Sequence, residues 1–571
     1  MITNYRGKIA FFATLSLTLS VIVTTGCKDK GSDAVVVAKA AEQLSDDPLL
    51  KKIPNSTAIF GIQDFSGDGY KLFSQSAYAK TKNAKQSLND VVEKIKDAGA
   101  GEELINIAKR IVEAATQLGL VSAEGAYTFE KVVARAAFFA GPVSSGTLPV
   151  EAGVFIRGAK GVNLVEKLGI LRNSLSSPEL RIADESFANS SKGFSVGFDN
   201  VPLKVYFAAT NEVFGVTLDK ANLEALFASS NTGAIDTLRN LPEYKQATKM
   251  LSTPDKPVSF MFTSLPRLKP TLELIAKSNQ TNDLNPDEIP VDGVAIQSSF
   301  PKQYVHNLGV AVSAKNENQT KILTALEGSA LSPTTLKLPN ETALSIALDT
   351  KFLSKLEPMI KSIEESAPAG VADQAKKLES LTLGLRNNAA GSPIPDIFLM
   401  MESSSREELK SLLESNLASA MSLVGQNASW QTKDIDGTQA KYFTTLVGAG
   451  VYMSAPGGSK NLVIGSSEAA LKDLLSAQNG KTSGIASLMP PALNNQVGSA
   501  NLASFYCNFK KVAEVINSVK NTLAMFTGGN SELNDLLNSA DIASWGFAAG
   551  GVSYSPGTLS INSSFEAGLQ G

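Results

Sequence analysis

Apolar and polar positions along this chain follow two rhythms. Short β-type runs come first: Ala137-Phe138-Phe139-Ala140, Val154-Phe155-Ile156, Phe194-Ser195-Val196-Gly197-Phe198, Val205-Tyr206-Phe207-Ala208 and Val213-Phe214-Gly215-Val216. They are rich in aromatic and β-branched residues, and turn residues such as Asp199-Asn200 separate them, so they read as strands at hairpin distances. Between them lie helical stretches, among them Leu223 to Ala228 and Pro270 to Ser278, the latter with Pro near its first turn. Most strand connections are too short for parallel crossovers. The expectation is an α+β fold built on antiparallel sheet, with helices packed on one face.

The same pattern is written twice. Ile53-Pro54-Asn55-Ser56-Thr57-Ala58-Ile59-Phe60-Gly61-Ile62-Gln63-Asp64 returns as Leu338-Pro339-Asn340-Glu341-Thr342-Ala343-Leu344-Ser345-Ile346-Ala347-Leu348-Asp349. Gly153-Val154-Phe155-Ile156 parallels Asp396-Ile397-Phe398-Leu399, and Phe214-Gly215-Val216 before Leu223 parallels Leu462-Val463-Ile464 before Leu471. Leu241-Pro242 matches Met489-Pro490, and the closing hairpin from Gly293 resembles the one from Gly546. Matches in a constant order predict two tandem homologous units. The first copy carries an extra helical piece at about 82–118. There Leu88, Val91, Val92 and Ile95 form one apolar stripe, and Leu104, Ile107, Ala108, Ile111, Val112 and Ala115 form another. Such stripes cover a core or offer a partner groove. The expected layout is a tether over 27–50, a first unit over 51–315, a connector over 316–337 and a second unit over 338–571.

The N-terminus has its own pattern. Arg6 and Lys8 precede an uncharged stretch from Ile9 to Val23, followed by Thr24-Thr25-Gly26-Cys27, with no acidic residue before Cys27. The stretch is shorter than the ~20 residues that span a bilayer core but has the length of a signal-peptide h-region. The end of this segment resembles the lipobox of bacterial lipoproteins, with Thr24 where Leu is usual. That resemblance implies cleavage after residue 26, acylation of the Cys27 thiol and attachment to a membrane through several acyl chains. It implies further that Lys28, rather than Asp, after the cysteine favours the outer membrane, facing the periplasm or the cell surface. The body, over 53–315 and 338–567, resembles a family of bacterial envelope proteins whose repeats open on a Pro-x-x-Thr-Ala strand ending in Asp. Those motifs are structural, so the resemblance supplies no catalytic residue.

Composition narrows the chemistry. The 571 residues carry 52 Lys+Arg against 55 Asp+Glu, a formal charge of −3, with 43% hydrophobic residues. A sizeable core follows, and the balance lacks the basic face a nucleic-acid partner needs. There is one His, His306, and there are two Cys, Cys27 and Cys507. With Cys27 acylated, Cys507 has no intramolecular disulfide partner and reads as a buried strand thiol. His306 has no second His or Cys ligand beside it, so His-rich zinc catalysis is not expected. A Ser-His-Asp triad would have to use His306. No Gly-x-Gly-x-x-Gly or Cys-x-x-Cys appears in the chain.

One segment suggests a cofactor. Asp64-Phe65-Ser66-Gly67-Asp68-Gly69-Tyr70 places oxygen ligands at alternate positions, as a calcium loop does, with Asp64, Ser66, Asp68 and the Tyr70 carbonyl as ligands. Gln75 stands where a closing Glu belongs, and the second copy, Asp349-Thr350-Lys351-Phe352, lacks the loop. The competing reading is a solvated Asp/Gly turn after a strand. Two functional classes follow. One is a non-enzymatic envelope protein, anchored by lipid, that binds a protein, polymer or lipid partner. The other is a hydrolase that uses paired carboxylates on an envelope or extracellular polymer, for which two carboxylates facing across a cleft would be the sign.

Overall fold

The computed structural model describes residues 44–75, 92–93, 96, 102–122, 128–142, 150–178, 180–187, 191–198, 201–249, 251, 256–279, 291–302, 305–313, 326–331, 334–355, 365, 370–388, 394–423, 429–444, 450–489, 491–527, 546–556 and 558–566. Cys27, the segment before it, and Leu88, Val91 and Ile95 lie outside the described residues. The chain divides into two compact units, Met1–Ala314 and Lys315–Gly571.

Unit 1 runs β1 (Ile59–Asp64), α1 (Asp68–Gln75), α2 (Glu102–Gln117), β2 (Val133–Pro142), β3 (Val150–Gly158), α3 (Leu164–Leu175), β4 (Leu180–Ser186), β5 (Lys192–Phe198), β6 (Val201–Ala209) and β7 (Val213–Thr217). It continues through α4 (Lys220–Phe227), α5 (Ala234–Asn240), α6 (Pro242–Lys249), β8 (Pro257–Ser264), α7 (Leu265–Asn279), β9 (Gly293–Lys302) and β10 (Val305–Ser313). The strands form an antiparallel sheet in the order β4-β5-β6-β7-β3-β2-β1-β8-β9-β10. α2 occupies part of the stretch read as a helical insertion, and Asn163 and Asp219 cap α3 and α4 by accepting from N–H groups of the first turn.

Unit 2 runs β11 (Leu344–Asp349), α8 (Val371–Lys377), β12 (Leu378–Arg386), β13 (Asp396–Ser403), α9 (Arg406–Leu423), β14 (Gln431–Ile435), β15 (Thr438–Thr444), β16 (Gly450–Ser454) and β17 (Asn461–Gly465). α10 (Glu468–Gln478), α11 (Pro491–Gly498), β18 (Ala503–Asn508), α12 (Phe509–Thr527), β19 (Phe547–Ser555) and β20 (Thr558–Glu566) follow. Its strand order is β14-β15-β16-β17-β13-β12-β11-β18-β19-β20, again antiparallel. This is the order of unit 1 with every strand number raised by ten.

The registers allow a residue-by-residue match. Ile59 lies opposite Ala140 and Thr263; Leu344 lies opposite Leu385 and Cys507. Glu151 stands opposite Gly141, and Asp396 stands opposite Arg386. Counting from the shared β1/β11 register, Glu151 and Asp396 therefore occupy the same place. The sequence comparison had set Asp396 against Gly153, two residues away.

Helices cover both faces of each sheet, which corrects the expectation of one. In unit 1, Phe60, Ala137, Phe155 and Ala208 point into a core closed by α4, α5 and α6. Their strand neighbours Ala136, Ile156 and Ala209 point the other way, toward clusters that include Tyr70, Phe73 and Val112 of α1 and α2 and Leu164 and Leu168 of α3. In unit 2, Phe398, Met400 and Val463 face α10, whereas Leu399, Met401 and Leu462 face Leu409 and Leu413 of α9. Phe398-Leu399-Met400-Met401 is apolar without alternation, as a strand buried on both faces must be. We call the α4–α6 and α10 side the first face and the opposite side the second.

Only the ends of the expected tether and connector lie among the described residues. Leu44, Leu49 and Leu50 are buried in the unit 1 core. In the described part of 316–337, Thr335 is buried and shares a hydrogen bond of 2.8 Å with Ser504, while Leu336 packs on the unit 2 core. The described residues at the end of each stretch thus pack on the unit that follows.

Candidate functional site

The strand β1 ends on Asp64, and the turn after it uses that carboxylate fully. Asp64 Oδ1 accepts from the Ser66 N–H at 2.8 Å, the Gly67 N–H at 2.9 Å and the Ser66 hydroxyl at 2.9 Å. Its other oxygen lies 3.4 Å from Arg135, which also pairs with the buried Asp47. Asp64 is itself buried, while Ser66 and Asp68 of the turn that follows are exposed. Helix α1 starts at Asp68, so Asp68 and Tyr70 sit in its first turn. Asp68 is exposed and pairs with Lys71 at 3.1 Å, while the buried Tyr70 ring packs edge-on to Phe65 at 4.9 Å. The structure brings Asp64 and Ser66 together and turns Asp68 to solvent. A calcium ion here would have to displace the N–H donors from Asp64. No group of three or more His, Cys, Asp or Glu stands ready to hold a metal among the described residues. Asp349 does the same structural work in unit 2, accepting from the N–H groups of Lys351 and Ala330, both at 2.8 Å.

Nucleophile chemistry finds little support. His306 lies in β10. Cys507, half-buried on β18, has its thiol pushed up to about 11 by burial, which keeps it protonated and poorly nucleophilic. One motif escaped the sequence reading. Gly193-Phe194-Ser195-Val196-Gly197 has the spacing of a nucleophile elbow. Such an elbow needs a sharp strand-to-helix turn, but these residues lie within β5, paired on both sides, and Ser195 is buried. Its hydroxyl donates to Glu185 at 3.0 Å. Glu185 is held below the usual carboxylate range mainly by its hydrogen bond from Lys220, so it is a weak base.

Carboxylates were the remaining catalytic candidates. A groove of about 700 Å³ between α8 and α9 is lined by Asp373, Gln374, Lys377, Glu407 and Glu408, among others. Lys377 and Gln374 donate to Glu408 and hold its carboxyl low, and Arg406 does so for Glu407. Glycoside hydrolysis needs one carboxyl with a raised pKa to act as acid; these two shifts run the opposite way. Among the described residues, the carboxylate that is raised is Glu151, through burial, with Asp219 adding repulsion. Ser56 donates to it at 2.6 Å and Asn222 donates to its other oxygen. Its match in unit 2, Asp396, is 0% exposed and pairs with Arg386, itself 3% exposed, at 3.0 Å. Asn388 and Ser467 also donate to Asp396.

The feature that stands out on the surface is apolar. On the second face of unit 2, Leu344, Ile346 and Leu348 of β11 are 36%, 44% and 40% exposed, and Leu383 and Ile397 beside them are 46% and 45% exposed. Ile346 lies between Leu383 and Phe505 in the sheet. The inward-facing positions of β11 are Ser345, Ala347 and Asp349, all buried. The strand therefore turns its largest side chains outward.

Comparison with family models, with curated proteins and with solved structures finds no match to the chain.

Proposed function

We propose that the chain is a lipid-anchored envelope protein whose body, two tandem copies of one α+β unit, binds a partner and has no catalytic role. The anchor is Cys27, acylated after removal of residues 1–26, and Lys28 favours the outer membrane, with the body toward the periplasm or the cell surface. Duplication is supported by the repeated opening segment and by the identical strand orders. The observation that carries the binding role is the aliphatic face of unit 2, because exposed patches of this kind mark interaction sites on soluble bodies. Against the hydrolase reading stand Glu407 and Glu408, ionised and engaged by cations in the groove where a carboxylate pair would work.

The test is expression of the full chain and its Cys27→Ser variant with labelled palmitate, followed by membrane fractionation and cross-linked co-purification. Label and membrane association in the wild type, both lost in the variant, are expected, with a cross-linked envelope component on the body. Release of sugar or peptide fragments from envelope polymer, abolished by Glu408→Gln, would overturn the non-enzymatic reading.

A further inference from the structure

We propose that the first face of unit 2 carries a site for a neutral saccharide at the β14 edge of its sheet, formed by Tyr442, Tyr452, Gln431, Lys433 and Glu468. This goes beyond the binding role proposed above, which rests on the opposite face of the sheet.

One row of the sheet builds the site. Gln431, Tyr442, Tyr452 and Gly465 stand opposite one another on β14, β15, β16 and β17. α10 lies over Gly465, where a Cβ would strike the Leu471 backbone, and the row runs outward from there to the exposed Gln431. The two tyrosine rings are stacked, 5° from parallel with centroids 5.3 Å apart. The buried Tyr452 covers one face of Tyr442, and the other face looks toward the edge strand. The Tyr442 hydroxyl donates to Gln431 Oε1 at 2.5 Å. The Gln431 amide N–H groups and the Tyr452 hydroxyl have no hydrogen-bond partner among the described residues. Burial, with the Glu468 carboxylate adding repulsion, raises the Tyr452 phenol above its ordinary value, so it stays a donor. Lys433 and Glu468, paired at 2.7 Å and 47% and 45% exposed, stand beside the rings.

Unit 1 uses the same frame as a staple. With Glu151 and Asp396 at one place, Gly153 matches Phe398, and the ladders carry the match outward. Thr217 falls on Gly465, Tyr206 on Tyr452 and Ser195 on Tyr442. The helix caps Asp219 and Ser467 then coincide, as do Glu185 with Lys433 and Lys220 with Glu468. The ion pair is therefore present in both units with its signs exchanged, at 2.7 Å in each. In unit 1 its capacity is taken up. Ser195 donates to Glu185, Lys220 lies over the Phe187 ring at 5.3 Å, and Glu185 is only 17% exposed. Ser195 is buried and supplies no ring. Unit 2 puts a second ring at that place and leaves both charges open.

These groups select the ligand. A tyrosine ring face packs on apolar surface such as the C–H side of a sugar ring. The hydroxyls around that ring need donors and acceptors together, and both are at hand. Gln431, Lys433 and the Tyr452 hydroxyl donate, while Glu468 and the same hydroxyl accept. An aromatic wall with a few convergent polar groups is the usual composition of a small-molecule site. Lys433 and Glu468 cancel in charge, so the site gives no advantage to an ionic ligand, and binding depends little on salt.

The probes are two neutral tetrasaccharides, N-acetylated chitotetraose and maltotetraose, titrated calorimetrically into the full chain bearing Cys27→Ser. Saturable binding of at least one is expected, with little change between low and high salt. Tyr442→Ala should weaken it about tenfold, the worth of one aromatic contact. Tyr442→Phe keeps the ring and should lose less than about threefold. Glu468→Gln should fall between the two, and Tyr206→Phe, at the matched place in unit 1, should leave binding unchanged. Melting curves confirm that each variant is folded, and the Phe variant guards against an Ala variant that is not. Binding of neither sugar overturns the inference and leaves the role of the opposite face standing. Equal binding by wild type and a folded Tyr442→Ala overturns it as well. So does tighter binding of anionic tetragalacturonate than of either neutral sugar, which would make charge the selected property.

Discussion

Units 1 and 2 share one strand order and differ in what they place at the same coordinates of the sheet. At the edge of the opening turn, unit 1 has Glu151 opposite Gly141, and unit 2 has Asp396 opposite Arg386. Both carboxylates are enclosed. One is met by neutral donors alone and the other by a guanidinium stacked over Phe398 at 5.1 Å. On the second face, unit 1 has Gly61 under the Phe138 ring, and unit 2 has Ile346 in the open. The backbone plan is thus tolerant: it accepts a charge pair or a lone acid, and a sealed face or an exposed one. What a unit does is set by those side chains and not by the plan.

The buried pair offers the largest effect. Asp396→Ala leaves Arg386 enclosed with only Asp473, at 2.7 Å and partly in solvent, and one Arg386 nitrogen is already without a partner. Breaking a buried pair costs about 3–5 kcal/mol, and the remaining contact to Asp473 puts this one near the lower end. Both tryptophans of the chain, Trp430 and Trp545, belong to unit 2. Denaturant unfolding followed by tryptophan emission therefore reads this loss in unit 2 alone. An unchanged midpoint would mean that the pair contributes nothing to that unit.

Next comes Gly61→Leu, which gives unit 1 a side chain at the place where unit 2 carries Ile346. The added Cβ runs into the Phe138 ring, and overpacking of this kind costs about 1–3 kcal/mol. Calorimetry should show the unit 1 transition falling while tryptophan emission of unit 2 stays put. Adding Phe138→Ala to the same chain should recover part of the loss. No recovery would show that ring and side chain do not meet.

Some of this was legible in the sequence, and the reasons are specific. The Pro-Asn-x-Thr-Ala opening and its closing Asp stand out because each residue has a backbone duty. Thr57 and Thr342 each donate an N–H to the carbonyl of the preceding Pro, at 3.1 and 3.0 Å, and Asp64 and Asp349 cap the turns that follow. The same Asp64 suggested calcium, since a carboxylate at the head of an Asp/Gly turn looks alike whether it collects N–H groups or a cation. The match of Glu151 to Asp396 stayed hidden for a different reason. Side chains alternate with period two, so a slip of two residues leaves every residue on its own face and the hydrophobic pattern intact. Only the ladder registers reveal it. Helices on both faces were missed because a strand buried twice, such as Phe398 to Met401, gives no alternation to read.

Glu151→Gln is a smaller change and tests the lone acid through pH. Burial raises the Glu151 carboxyl above its ordinary value of 4.5. An acid raised in the folded state leaves stability fully present below that ordinary value. The stability is lost as pH rises toward and through the folded pKa, because the unfolded chain ionises first. Wild type and Glu151→Gln should therefore differ least near pH 4, with the variant gaining on the wild type as pH climbs. The hydrogen-bond change itself is worth about 1 kcal/mol at most. Melting temperatures of the unit 1 transition across pH 4 to 8 provide the measure. A difference that is constant with pH would mean that Glu151 titrates as it does in the unfolded chain.

The smallest effect is the most telling for function. Ile346→Thr keeps a β-branched residue in the central strand β11 and removes only one solvent-facing aliphatic arm. Surface substitutions of this kind stay within about 0.5 kcal/mol, so the unit 2 midpoint should barely move. In a packed core, losing a single methylene-sized group from Ile already costs about 0.5–1.5 kcal/mol, and the buried hydroxyl would add to that. The substitution therefore weighs the surroundings of Ile346 directly. A loss above about 2 kcal/mol would show that this side chain is part of the core of unit 2, and the open face would cease to exist as a binding surface. A loss near zero, alongside the heavy cost of Gly61→Leu at the matched position, would establish that one register position is filled for stability in unit 1 and left free of that duty in unit 2.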